Sequence, residues 1–106
     1  MKRAEIWFAQ TSGGSDRPVL VLTRDPVAGF LGGVVVALIT STIRGHGSEM
    51  LLGIADGLKQ DCVVSFDNIA TIKRSDFRKR VLTLRPERRR ELRERLDYAL
   101  GCAADR

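Results

Sequence analysis

Short runs of apolar residues, mostly β-branched or aromatic, recur along the chain between clusters of glycine, proline, serine and aspartate. Runs of about four to eight such residues bounded by turn-forming residues are typical of β-strands. The pattern predicts strands at residues 4–9, 17–23, 34–40, 49–54, 61–66, 69–72 and 80–84. The segments at 61–66 and 69–72 are either two strands or one bent strand, because Asp67 and Asn68 interrupt the run.

The run at residues 34–40 is the most apolar of these segments. It is too short for an ordinary helix and rich in β-branched residues, so it predicts a buried central strand. Pro18 lies second in the strand at 17–23. Because proline cannot donate a hydrogen bond to a sheet ladder, Pro18 belongs near the start of its strand or on a sheet edge.

The last apolar pattern in the chain has helical spacing. Pro86 suits the first helical residue and Gly101 the residue past the helix end. Glu91 and Arg95 form a favourable i,i+4 pair on one face. The other face is lined by four apolar residues: Leu92, Leu96, Ala99 and Leu100. Strands followed by one C-terminal helix predict a mainly β (α+β) fold, a small, strongly curved antiparallel sheet or half-open barrel. The length of 106 residues predicts one domain over residues 1–106.

Several functional classes find no support in the sequence. The loop at 11–16 contains two glycines but is not a P-loop, because no Gly-Lys-Ser/Thr follows it. Cys62 and Cys102 stand alone without metal-ligand spacing, so we expect no metal and no cofactor, and we interpret both as small, buried or half-buried thiols. The longest apolar run is too short to cross a bilayer. The N-terminus lacks the apolar stretch of a signal peptide, so we expect a cytoplasmic protein.

The positive charge of the chain is unevenly distributed. Residues 71–90 contain nine basic and two acidic residues, a net charge of +7, so the rest of the chain carries −2 of the total of +5. A localised basic segment is typical of a nucleic-acid partner. A solvated surface coated with lysine and arginine has the same composition, and charge alone favours the first interpretation only slightly.

A cation and a hydroxyl lie at the ends of two apolar strands. Arg17 opens the strand at 17–23, and Thr40 closes the strand at 34–40. Fixed at strand ends, the two side chains would form a rigid anion site that suits a phosphodiester better than a metal or a nucleotide cofactor. The alternatives are an exposed Arg17 that pairs with Asp16 or Asp25, and a Thr40 that is only a good β-former.

In several segments of its sequence the chain resembles the MazF/PemK toxins. The matching segments occur in order over nearly the whole chain: Arg3-Ala4-Glu5-Ile6-Trp7, Arg17-Pro18-Val19-Leu20-Val21-Leu22-Thr23-Arg24-Asp25, Ile39-Thr40-Ser41-Thr42, Asp61-Cys62-Val63-Val64, Asp67-Asn68-Ile69-Ala70-Thr71-Ile72 and Ala99-Leu100-Gly101. The resemblance implies an SH3-like β-barrel with a C-terminal helix, forming a homodimer. It also implies a metal-independent endoribonuclease that cuts single-stranded RNA, either mRNA or tRNA and rRNA, and that a cognate antitoxin holds inactive in a type II toxin–antitoxin system.

The resemblance assigns roles to two residues. The catalytic arginine of the family, at the start of the second strand, corresponds to Arg17, and its catalytic threonine, at the end of the third, corresponds to Thr40. The chain departs from the family pattern where Arg24 replaces a common asparagine, Asn68 a glutamine, and Ala70 an arginine that assists catalysis in some relatives.

Further residues are candidates for contact with RNA: Ser41, Thr42, Asn68, Arg78, Lys79 and Arg80. The hydroxyls of Ser41 and Thr42 extend the Thr40 cluster toward a phosphate, or else are turn residues. Trp7 and Phe8 could stack on bases, although a strand aromatic is more often part of a core or a dimer interface.

The sequence offers no clear general base, because arginine stays protonated in proteins. The single histidine, His46, is more simply a solvated loop residue, and Glu49 and Asp16 are more simply surface carboxylates or caps. Two other functions stay open: a CcdB-like toxin that traps DNA gyrase on the same fold, and a non-catalytic RNA-binding module. The tail at 101–106 lacks the aromatic end of CcdB.

Overall fold

The computed structural model describes residues 2–11, 13–23 and 32–101. Within these residues the chain forms one antiparallel sheet of six strands followed by a helix. The elements, in chain order, are β1 (Glu5–Gln10), β2 (Asp16–Val21), β3 (Gly33–Thr40), β4 (Glu49–Leu52), β5 (Cys62–Lys73), β6 (Phe77–Thr83) and α1 (Pro86–Leu100), with 3₁₀ turns at Ile54–Asp56 and Arg74–Asp76. The strands lie in the order β4-β5-β3-β2-β1-β6. The predicted half-open barrel with a C-terminal helix is confirmed, and β3 is central as expected.

The long strand β5 gives the sheet its curl. Its pairing with β3 shifts register between Ala37↔Ile69 and Leu38↔Ser65, so that the residues at 66–68 bulge out of the ladder. A bulge bends its strand and increases the local twist. The sequence prediction of one bent strand interrupted at 67–68 is therefore the correct alternative of the two.

Two apolar clusters occupy the two sides of the curled sheet. The larger cluster lies between the sheet and α1 and includes Ile6, Leu20, Met50, Phe66 and Leu92, all almost fully buried. The smaller one is built mainly from the alternate residues of β2 and β3: Val19, Val21, Val34 and Val36, with Ala9 and Ile72. Because side chains alternate across a strand, β2 and β3 contribute apolar side chains to both clusters, which explains their nearly continuous apolar sequences.

The helix begins at Pro86 and ends at Leu100, as predicted, and Gly101 adopts a left-handed φ of 74° with its N–H bonded to the carbonyls of the last turn. Glu91 and Arg95 form the predicted pair, with 3.6 Å between Oε2 and Nε. Leu92 is buried, but Leu100 is 59% exposed and its predicted place on the apolar face is wrong. At 100° per residue Leu100 lies about 80° around the helix from Leu92, at the rim of the contact.

Other boundaries differ from the sequence prediction for local reasons. β6 begins at Phe77 rather than at residue 80, because the Phe77 ring packs edge-to-face on Trp7 with 5.9 Å between ring centroids. β4 ends before Ile54, because the Asp56 carboxylate accepts the Gly53 N–H at 3.1 Å and turns the chain. The predicted turn between β2 and β3 lies mostly outside the described residues. Among the described helices, none combines the length and apolarity needed to span a membrane.

Glu5 links three parts of the structure at the start of β1. Only 7% exposed, it accepts hydrogen bonds from the Trp7 indole N–H at 3.0 Å and the Lys2 backbone N–H at 2.9 Å, and it lies 3.5 Å from the Arg80 guanidinium. Burial alone would raise the pKa of the Glu5 carboxyl, but these donors and the charge of Arg80 outweigh it and hold the pKa below its ordinary value of 4.5.

We expect Glu5→Gln to destabilise the fold by about 1–2 kcal/mol at neutral pH, since it removes a charged acceptor from a buried site. A lowered pKa in the folded state contributes stability that is complete above the unfolded pKa and is lost as the pH falls through the folded value. The difference in unfolding free energy between wild type and variant should therefore shrink below about pH 4.5. Urea denaturation between pH 7 and pH 3 measures it, and a difference that grows toward low pH would contradict this role of Glu5.

Candidate active site

The site begins where the ladder between β2 and β3 stops. The two strands pair only from Val21↔Val36 to Val19↔Leu38, although β2 begins at Asp16 and β3 continues to Thr40. The next residue on β2 is Pro18, which has no N–H to donate. Beyond this point β2 pairs only with β1, and β3 only with β5. The ends of two neighbouring strands therefore part, and a gap opens between them.

Arg17 and Thr40 face each other across this gap. Continuing the register of the ladder by two residues sets Arg17 directly opposite Thr40. Both residues are half-buried and belong to the lining of one cleft of about 590 Å³. Its remaining walls come from β1, β6 and the loop that precedes β5, with these residues: Ile6, Phe8, Pro18, Ile39, Ser41, Gly57, Leu58, Lys59, Gln60, Cys62 and Val81. The two residues that the sequence singled out are thus brought together.

The Arg17 guanidinium forms no ion pair within the described part of the chain. The neighbouring acid, Asp16, lies instead 3.6 Å from Arg78. Pairing of Arg17 with Asp16, one alternative at the level of sequence, is therefore wrong, and Asp25 lies outside the described residues. The planar fork of a guanidinium matches the geometry of an oxyanion, so Arg17 is chemically suited to bind one.

Thr40 is held by the turn that follows it. Its Oγ1 accepts the backbone N–H of Thr42 at 3.2 Å. An oxygen that accepts in this way still has its own O–H to donate. Ser41 is exposed and lines the cleft, whereas Thr42 contributes its backbone to the turn and is not part of the lining. Of the three hydroxyl residues predicted from the sequence to form a cluster, Thr40 and Ser41 line the cleft, whereas Thr42 belongs to the turn.

The far wall of the cleft carries Lys59, Gln60 and Cys62. Burial raises the pKa of the Cys62 thiol, and the carboxylates of Asp56 and Asp61 raise it further. The thiol therefore stays protonated at neutral pH and is a weak nucleophile. Cys62 is buried, as expected, and Cys102 lies outside the described residues. No group of three acidic, histidine or cysteine side chains within the described segments could hold a metal ion.

Comparison with known proteins gives the family. The model of "PemK-like, MazF-like toxin of type II toxin-antitoxin system" matches residues 2–100. The chain belongs to this family. It is 52% identical over 103 residues to a probable endoribonuclease MazF2 of Mycobacterium tuberculosis, covering 96% of this chain and all of that protein.

Solved structures of MazF toxins have the same fold. The Mycobacterium tuberculosis toxin MazF-mt6 superposes with a TM-score of 0.83 at 37% identity, over 92% of this chain and 96% of that one. A mycobacterial endoribonuclease in complex with its cognate antitoxin superposes equally well, with a TM-score of 0.83 over 95% of each chain. At 22% identity the second likeness supports the fold alone.

None of the candidate bases of this MazF-like toxin is part of the described cleft lining. Glu49 is buried, not a surface carboxylate, and its Oε1 accepts the backbone N–H groups of Arg44, Gly45 and His46 at 2.8–3.3 Å. It therefore caps the loop before β4, and the exposed His46 lies in that loop. Asp16 is occupied by Arg78. Of the described residues that line the cleft, none carries a carboxylate or an imidazole.

Several basic side chains of the basic segment form pairs within the protein. Arg78 bonds to Gln10 at 2.6 Å as well as pairing with Asp16, and Arg80 pairs with Glu5. Within the described residues Lys79 is exposed and has no such partner. Arg88 turns inward, 3.0 Å from Asp56. None of these side chains lines the cleft.

Asn68 also lies outside the cleft lining. It is exposed in the β5 bulge, where its amide donates to the Ser65 hydroxyl at 3.0 Å. This contact ties the two ends of the bulge together. The structure therefore shows a local structural contact for Asn68 and leaves its predicted contact with RNA as a prediction.

Sequence reasoning missed the loop at 57–60 as part of the site. Gly57 has a φ of 97°, a left-handed conformation that favours glycine. It turns the chain so that Leu58, Lys59 and Gln60 form the far wall of the cleft. The Asp56-Gly57 turn was visible in the sequence, but nothing local showed which strands it would face.

Proposed function

We propose that this cleft binds single-stranded RNA and that Arg17 and Thr40 catalyse its cleavage. As a MazF-like toxin the chain is an endoribonuclease. The observation that carries the assignment of the site is the position of Arg17 and Thr40, which lie in opposite register at the ends of β2 and β3 and both belong to the lining of one cleft.

The proposed reaction uses the RNA itself as nucleophile. The ribose 2′-oxygen bonds to the adjacent phosphorus as the bond to the 5′-oxygen breaks, which leaves a 2′,3′-cyclic phosphate and a 5′-hydroxyl. The 2′-hydroxyl loses its proton to solvent, and the leaving oxygen takes one from solvent. DNA lacks the nucleophile, so the reaction is specific for RNA.

The protein contributes stabilisation of charge. The transition state has five oxygens around phosphorus and more negative charge than the substrate. Arg17 can donate two parallel hydrogen bonds to the phosphate oxygens, and Thr40 can donate a third. Arg17 cannot serve as a base at neutral pH. With the base candidates of the sequence placed elsewhere, preorganised donors are the main catalytic means available to the described lining.

The alternatives are less well supported. A CcdB-type gyrase poison has no use for donors placed in a cleft, and the family and its curated relatives are endoribonucleases. A purely RNA-binding module would explain the basic segment, but Arg78 and Arg80 are paired with acidic side chains of β2 and β1. Cleavage of RNA accounts for the cleft and for the family together.

The toxin has two expected protein partners. Type II toxins are paired with an antitoxin, and a solved mycobacterial relative is bound to its cognate antitoxin.

The second partner is another copy of the chain. The edge strand β6 exposes the charged residues Arg78, Lys79 and Arg80, which discourage edge-to-edge pairing. The opposite edge, which we term the β4 face, exposes large apolar residues: Ile43 (47%), Leu51 (57%), Ile54 (75%) and Tyr98 (65%). Such an edge is stabilised when a second copy covers it.

Substitution of Arg17 or Thr40 tests the proposed site. We expect Arg17→Ala and Thr40→Val each to reduce the rate of RNA cleavage in EDTA by on the order of 10²–10³, because each removes a preorganised donor. Thr40→Ser keeps the hydroxyl and should retain most activity. Arg93→Ala, which removes an exposed helical arginine outside the cleft, is the matched control. Wild-type cleavage by a folded Arg17→Ala or Thr40→Val protein would remove that residue from the site.

The basic residues of β6 are tested by the salt dependence of RNA binding. Each phosphate neutralised by the protein adds about 0.7 to the slope of log affinity against log salt for single strands. We expect the triple variant Arg78→Ala, Lys79→Ala, Arg80→Ala to flatten the slope and to weaken binding equally across sequences, with the cleaved motif unchanged. The matched control is Arg89→Ala, Arg90→Ala, Arg93→Ala, which removes the same charge from α1.

An unchanged slope in the β6 variant, or equal flattening in the α1 variant, would contradict a specific RNA contact by β6. Weaker inhibition by the antitoxin in the β6 variant alone would identify this strand as a protein interface instead.

The β4 face is tested by sedimentation. We expect a homodimer at micromolar concentration, and Leu51→Glu should shift it to monomer because the dimer would bury an unpaired charge. Val35→Glu, at an exposed position of the central strand β3, is the control and should remain dimeric. A monomeric wild type at this concentration, or a dimeric Leu51→Glu variant, would contradict the assignment.

A further inference from the structure

The two adjacent aromatic residues of β1 have different environments. Trp7 is half-buried: its ring packs against Phe77, and its N–H donates to Glu5. Phe8 points to the opposite side of the strand, lines the Arg17–Thr40 cleft and is 41% exposed. Trp7 is therefore held by the fold, whereas Phe8 presents part of its ring to the cleft.

The surroundings of Phe8 form an apolar recess beside the phosphate donors. Phe8 is the cross-strand partner of Pro18, the residue next to Arg17. Leu58 and Val81 complete the apolar walls. An apolar, partly aromatic recess next to a cation suits a ligand that has a flat apolar face and an adjoining phosphate.

Gln60 lies on the wall of the same cleft. It is exposed, and its amide has no hydrogen-bond partner in the described part of the chain. A primary amide both donates and accepts, so it can pair with the edge of a nucleobase. The cleft volume of about 590 Å³ lies within the range of roughly 300–1,000 Å³ typical of small-ligand pockets.

We infer that this recess is a base-binding subsite, in which one unstacked base next to the scissile phosphate stacks on Phe8 and offers its edge to Gln60. The inference rests on the proposed function for the identity of the ligand. It adds the residues that hold the substrate: Arg17 and Thr40 contact the phosphate, Phe8 supplies affinity for the base, and Gln60 selects among bases. A base held here fixes the ribose and thereby the position of its 2′-hydroxyl.

A binding experiment can test the stacking without any cleavage. The probes are a short fluorescent oligouridylate, made with 2′-deoxy sugars so that it cannot be cut, and the same backbone without bases. We expect Phe8→Ala to weaken binding of the oligouridylate by about 10- to 100-fold, as for loss of a stacked base. Phe8→Trp should restore binding, and Phe8→Leu, which keeps apolar bulk without an aromatic face, should not.

The abasic probe isolates the contact. Wild type and Phe8→Ala should bind it with equal affinity, because it keeps the phosphates and lacks the base. Val35→Ala, a similarly exposed apolar residue outside the cleft, is the control and should change neither affinity. Thermal unfolding of each variant checks the fold, and the Phe8→Leu and Phe8→Trp proteins carry the test if Phe8→Ala is unstable.

Specificity is tested on RNA that the wild type cuts. Mapping of 5′ ends should show that Gln60→Ala relaxes the base preference at one position beside the cut, while Arg93→Ala, an exposed residue outside the cleft, leaves the preference unchanged. An unchanged motif in Gln60→Ala would remove Gln60 from the subsite.

The outcomes separate this inference from the proposed function. If cleavage depends on Arg17 but the affinity for the oligouridylate does not change in Phe8→Ala, the base-binding subsite is wrong and the nuclease assignment stands. If binding depends on Phe8 and on the base but the wild type cleaves no RNA, the base-binding subsite stands and the nuclease assignment is wrong. Equal loss of affinity for the abasic and the complete probe in Phe8→Ala would mean that the side chain acts only through the fold.

Discussion

The early end of the ladder between β2 and β3 is the constraint on which the site depends. Both strands continue beyond Val19↔Leu38, but Pro18 has no N–H and the two strands bond only to their other neighbours. Each strand end is still paired on its other side, β2 with β1 and β3 with β5. Strand ends supported on one side therefore hold Arg17 and Thr40 beside one cleft, which is where we propose that the phosphate binds.

Ion pairs between neighbouring strands occupy several of the charged side chains of this basic protein. Arg78 and Arg80 pair with Asp16 and Glu5, so that they join β6 to the start of β2 and to β1. The pairing of Asp16 with Arg78 also keeps that carboxylate from neutralising Arg17. A site for an anion needs a cation without a nearby counter-charge, and the pairs at the edge of the sheet supply this condition within the described residues.

Much of the fold could be predicted from the sequence because its signals are local. Pro86 and Gly101 marked the helix ends, and the apolar runs marked the strands. Arg17 and Thr40 could be selected as strand-end residues, and the family resemblance gave them roles. The far wall of the cleft could not be predicted, because the position of Lys59 and Gln60 depends on which strands the loop faces. Trp7 packs on Phe77, whereas Phe8 lines the Arg17–Thr40 cleft. This difference between neighbouring aromatic residues depends on partners that are distant in the sequence.

The central claim is that donors of the protein stabilise an attack by the RNA's own 2′-hydroxyl. The most direct measurement is mass spectrometry of the products from an RNA oligonucleotide that contains the cleavage motif, cut in EDTA, beside the same oligonucleotide with one 2′-deoxy sugar on the 5′ side of the cut. The account predicts a 2′,3′-cyclic phosphate and a 5′-hydroxyl from the first substrate and no cut at that position in the second. Cleavage of the 2′-deoxy substrate at the wild-type rate, or a 5′-phosphate product, would contradict it.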